Sequence, residues 1–201
     1  MATQPLFDPT RFDPGRVVLP DIELVRGLGK ATDVVIGVAE SNGRTTLVGA
    51  GSELESKAGK AGGALLGLLN QGPGHAIDQV TELNLPGLRV LAVGIGADLD
   101  LQPEDLRRAA GLGVRRALRA DAAGQRRIVI SLDAGTDAQV QAVAEGALLA
   151  ADGFRKLTHR PAPPAIESIG IVGSSRSSQQ ALATARVTAQ TDAAAWDAHF
   201  A

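Results

Sequence analysis

Two runs of the chain, Val90-Leu91-Ala92-Val93-Gly94-Ile95-Gly96 and Ile128-Val129-Ile130-Ser131-Leu132, are almost continuously apolar and rich in β-branched residues. A strand with one wet face alternates apolar and polar residues. A strand written like these has both faces covered, as parallel strands have between layers of helices. Further short runs give strands over Ile22 to Val25, Asp33 to Val38, Thr45 to Val48, Arg89 to Ile95, Arg127 to Leu132 and Ser168 to Val172. Aromatic residues make up only 2% of the chain, Tyr is absent and Gly numbers 24, so the core is built from Val, Ile, Leu and Ala close to the backbone.

Helical patterns separate these strands. Ala61 to Asn70 is one, and Pro103 to Ala122 is a second, with Pro103 in the first turn and Glu104 and Asp105 where the helix dipole favours anions. The third opens on Thr136-Asp137-Ala138-Gln139, a capping box, and continues with Val140, Val143, Ala144, Ala147 and Leu148 to about Ala151. That apolar stripe is expected to face the sheet. Arg160-Pro161-Ala162-Pro163-Pro164-Ala165 reads as a stiff extended connector, and an alanine-rich helix begins near Ser177. The strand and helix order implies an α/β domain with a mostly parallel sheet flanked by helices.

Three units are expected: an extended arm over 1–16 carrying Phe7-Asp8-Pro9 and Phe12-Asp13-Pro14, an α/β domain over 17–176, and a C-terminal helix over 177–201. No stretch has the roughly 18 uncharged apolar residues of a membrane span, and the first residues lack the apolar core of a signal peptide. With 20 Lys and Arg against 22 Asp and Glu, the formal charge of −2 exerts no global pull on nucleic acid or anionic membrane. The absence of cysteine removes disulfides and thiolate chemistry and fits the cytoplasm.

Catalytic motifs are few. His75, His159 and His199 lie far apart, outside any H-E-x-x-H pattern, and G-x-S-x-G is missing. Asp98, Asp100, Glu104 and Asp105 cluster where a strand hands over to a helix, and are read as serving its cap and dipole. Gly94-Ile95-Gly96 lacks the third glycine of a dinucleotide fingerprint, because Leu99 stands in its place. Gly94 and Gly96 remain weak anion-binding candidates, together with Ser174, Ser175 and Arg176 in a small-residue loop that opens a helix. A turn with a serine cap is the preferred reading of that loop. Arg108, Arg115 and Arg119 share one helix face opposite Leu106, Ala110, Gly113 and Ala117. With no aromatic residues interleaved, a solvated basic face is preferred over a nucleic-acid surface.

The segments TDVVIGV, GGALLGLLNQG, LPGLRVLAVGIG, LRRAAGLGVRRAL, AVAEGALLAADGFRK and ESIGIV follow one another in an order that resembles the amino-terminal domain of the leucyl (cytosol) aminopeptidase family. The likeness runs from about Val17 to Gln190, and Ala142 to Ala150 is its most specific piece. After it the family carries tyrosines, whereas this chain has a shortened Asp152-Gly153-Phe154-Arg155-Lys156. The resemblance implies a three-layer, macro-domain-like fold. It implies a parent enzyme that releases amino-terminal residues from peptides with two divalent metals, manganese or zinc, in a cytoplasmic hexamer. The family's metal ligands lie around N-T-D-A-E-G-R in a carboxy-terminal domain, before which this chain is expected to stop. Thr136-Asp137-Ala138 and Thr191-Asp192-Ala193 echo that motif without its Glu-Gly-Arg, so no catalytic or metal-binding residue is carried over. The expected partners are the chain's own catalytic domain and sister subunits. The alternative is a free-standing module that binds a nucleotide, ADP-ribose or nucleic acid.

Overall fold

The computed structural model describes residues 19–41, 43–49, 51–58, 76–97, 100–119, 125–152, 166–173 and 178–199. The 1–16 arm, the helix expected at Ala61 to Asn70, the proline connector and Ser174 to Ser177 lie outside the described residues.

Among the described residues, seven strands form one mixed sheet: β1 (Asp21–Val25), β2 (Asp33–Ser41), β3 (Arg44–Val48), β4 (Val80–Leu85), β5 (Leu88–Gly96), β6 (Arg126–Ser131) and β7 (Ile166–Val172), six of them in the order β1-β7-β6-β2-β5-β4 and β3 paired to β2 off that path. The β1–β7, β6–β7, β2–β6 and β2–β5 pairs are parallel, while β4–β5 and β2–β3 are antiparallel. On one edge of β2, β6 pairs with Asp33 to Ile36, and β3 then takes over from Gly37 to Ser41.

The two-residue period of a strand divides its side chains between two cores. Val35, Ala39, Leu91, Val93 and Ile95 face one side, against α2 (Pro103–Leu118), α3 (Asp137–Asp152) and α4 (Ser178–His199). Val34, Ile36, Val38, Val90 and Ala92 face the other, where α1 (Gly51–Ala58) contributes Leu54. Helices on both faces of a mostly parallel sheet give the α/β layering that the apolar runs required. Each fully buried Val, Leu or Ile contributes roughly 1.5–3 kcal/mol of transfer free energy.

Two elements were not legible in the sequence. Strand β4 is a half-buried edge strand joined to β5 through Pro86 and Gly87, the latter at φ 73°. Helix α1 is short and polar, and is anchored by buried Leu54 and by Glu53 Oε2, which accepts the Leu28 amide at 2.7 Å. Helix α2 begins as expected, Asp105 Oδ2 accepting the Gln102 amide at 3.2 Å, but it ends at Leu118 rather than Ala122. The reason lies in its last turn. Arg89 Nη2 donates to the Ala117 carbonyl at 2.9 Å, and the Arg119 amide closes back on Arg116 at 3.2 Å.

The α3 capping box forms in full, with the Gln139 amide on Thr136 Oγ1 at 3.2 Å and the Thr136 amide on Gln139 Oε1 at 3.1 Å. Helices α2 and α3 cross in backbone contact: a Cβ on Gly146 would collide with the Arg107 carbonyl, and one on Gly111 would sit 3.2 Å from the Gly146 oxygen. Leu148 is fully buried, as its stripe suggested, in a cluster against which Ile22 of β1 also packs. It packs with Leu19, Ala189, Ala193 and Ala194, because α4 lies over that flank of α3 and covers it.

Candidate functional site

Open parallel sheets usually take ligands at the carboxyl ends of their strands, where neighbouring crossovers run in opposite directions. That point falls between β2, whose next parallel partner in the chain is β5, and β6, which continues to β7. Here it is filled by polypeptide. Beyond β6, β3 pairs with β2, and Gly49 at the end of β3 accepts the Ser131 hydroxyl on its carbonyl. Gly49 sits at φ 77°, and a Cβ there would run into the Ser131 carbonyl. Gly94 and Gly96 lie at this edge as well. The Gly94 amide donates to the Gln79 carbonyl at 2.8 Å, and Gly96, at φ 93°, lies against Ile77. Ser174, Ser175 and Arg176 fall outside the described residues, as do His75 and His159.

The basic residues between Arg107 and Arg127 are largely matched by acids. Arg107 holds Glu104 at 2.7 and 2.9 Å, Arg108 contacts Asp78 at 3.2 Å and Asp105 at 3.3 Å, and Arg116 contacts Glu82 at 3.0 Å. The Arg107 hydrogen bond holds the Glu104 carboxyl below the ordinary glutamate range, and Arg127 does the same for Glu167. Both carboxylates are exposed, so these pairs add little to stability. A cleft of about 260 Å³ between the amino-terminal halves of α2 and α3 is lined by Glu104, Arg107, Gln141 and Glu145. Among the described residues, no three His, Asp or Glu side chains come together to hold a metal ion.

The amino edge of the sheet carries an arrangement that the sequence did not announce. Asp33, Arg89 and Arg126 stand near the starts of β2, β5 and β6, and parallel register sets Asp33 opposite Arg89. Asp33 is fully buried, and Arg89 and Arg126 are 7% and 8% exposed. Asp33 Oδ1 accepts Arg89 Nε at 2.6 Å. Its Oδ2 accepts the Thr32 hydroxyl at 2.8 Å and Arg126 Nη1 at 3.3 Å. Arg89 also reaches Glu82 at 3.4 Å, which links the buried group to Arg116. Thr32 ties the strands beneath it, its amide bonding to the Arg127 carbonyl and its carbonyl accepting the Arg89 amide, each at 2.9 Å. A signal for this cluster was present: each central apolar run is led by a charged residue at the same end.

Residues 35–161 match the model of the cytosol aminopeptidase family, N-terminal domain. The chain is similar to a probable cytosol aminopeptidase of Cutibacterium acnes, with 30% identity over 174 residues, covering 85% of this chain and 34% of that protein. It therefore spans about a third of that relative's length. Among solved structures, a tomato leucine aminopeptidase mutant shares the fold at a TM-score of 0.56 and 16% identity, over 87% of this chain and 37% of that one. The bottromycin maturation enzyme BotP in complex with Mn gives a TM-score of 0.47 at 20% identity, over 80% of this chain and 30% of that one.

Proposed function

Because the chain belongs to the cytosol aminopeptidase family as its N-terminal domain, we propose that it serves as the non-catalytic domain of a two-metal enzyme that releases amino-terminal residues from peptides. The observation that carries this reading is the family match over 35–161, which takes in most of the sheet and both glycine-packed helices. In this reading the two metals, manganese or zinc, are held by the remaining part of the enzyme. Residues 177–201 would lead toward that part, 17–176 form the domain proper and 1–16 form an arm. The domain supports assembly of a cytoplasmic homo-oligomer, a hexamer, and shapes access to the active site. Among the described residues, no helix is long and apolar enough to cross a membrane. The nucleotide-binding alternative draws no support from the carboxyl edge, where β3 stands at the switch point.

The test is direct. The purified chain should leave leucine anilides intact with added manganese or zinc, since two-metal hydrolysis needs ligands that hold ions about 3.5–4 Å apart. Metal-dependent turnover that stays with the chain through purification would overturn the assignment.

A further inference from the structure

Arg126 uses only part of its guanidinium. Its Nη1 reaches Asp33 at 3.3 Å, whereas Nε and Nη2 are buried and have no hydrogen-bond partner. Asp33 meets Arg126 through Nη1, and its oxygens also accept from Arg89 and Thr32 at shorter distances. The charges point the same way. Among the described residues, the acids that Arg89, Arg116 and Arg126 contact are Asp33 and Glu82, and Glu82 is committed to Arg89 and Arg116. The surplus positive charge therefore falls on Arg126, whose side chain is 10% exposed at the start of β6. Buried charged donors are seldom left unpaired, since the desolvation they suffer goes uncompensated.

We propose that the Nε–Nη2 edge of Arg126 is a binding site for a small carboxylate anion. That edge presents two parallel N–H groups in one plane, the spacing a two-oxygen planar anion accepts side-on. An ordered water would satisfy the donors but leave the charge. A carboxylate answers both. Asp33 holds the guanidinium from its Nη1 end, so the fork is oriented before the ligand arrives.

The experiment uses the 201-residue chain in sodium acetate and in sodium chloride at equal ionic strength, with thermal unfolding and the arginine Nε–H resonances as readouts. Acetate should raise the melting temperature saturably, by several degrees over chloride, as a ligand that binds only the folded state must. The Arg126 Nε–H resonance should shift along the same isotherm. Arg126→Met should lose the acetate increment, and Arg108→Met, at an exposed pair, should keep it. If Arg126→Met fails to fold, the Nε–H titration of the unaltered chain decides alone. Equal melting temperatures in the two salts with a stationary Nε–H resonance would overturn the proposal in favour of a trapped water, as would an acetate increment that survives Arg126→Met.

Discussion

At the carboxyl edge of the sheet, Gly49 meets Ser131 by having no side chain. At the amino edge, Asp33, Arg89 and Arg126 meet through side chains that carry full charges. The first edge is closed by shape and tolerates no added atom. The second is closed by charge and tolerates no lost partner. An α/β sheet can thus stop its central strands in two ways, and here the charged way leaves two Arg126 donors without a partner among the described residues.

The comparison can be broken at either end, most severely at Asp33. Asp33→Asn keeps the shape but takes from Arg126 the acid it contacts and leaves Arg89 only the more distant Glu82, and should cost about 3–5 kcal/mol in urea denaturation. A loss under about 1 kcal/mol would mean that the amino edge is held by packing instead. Gly49→Ala should cost less, about 2–4 kcal/mol, from a side chain forced to positive φ and crowded against the Ser131 backbone. A neutral result in the same denaturation would show that β3 can shift and that the carboxyl edge is looser than its geometry implies.

The smallest effect belongs to the exposed rim of the charged end. Arg127 depresses the Glu167 carboxyl mainly through their hydrogen bond. The stabilisation linked to it is present above the ordinary glutamate pKa and fades as pH falls through the lower folded value. Carboxyl titration by NMR should place Glu167 below the ordinary glutamate range, and Arg127→Gln should return it there. No change on that substitution would dissociate the rim from its buried neighbours.

Sequence patterns revealed what repeats locally. Continuous apolar runs gave the central strands, Thr136 and Gln139 gave the start of α3, and the apolar face of α2 followed from helical spacing. Strand β4 escaped because Val80–Leu85 mixes Thr, Glu and Asn into a half-exposed edge, and α1 because eight largely polar residues carry no readable period. The charge cluster escaped for a different reason. Asp33, Arg89 and Arg126 are remote in the chain, and only strand register makes them neighbours. Leu148 shows the same limit on a smaller scale: its stripe declared it buried, but the partner that buries it is α4.

The pairing of β1 with β7 joins Asp21 to Ser168, near opposite ends of the described chain. A ribosome releases β1 long before β7, its neighbour among the described strands, exists, so during synthesis this strand lacks that partner. Contacts of such long sequence separation form late and slow the search. Among the pairings of the described strands, β1 with β7 spans the longest stretch of sequence, and so carries the largest loop-closure cost.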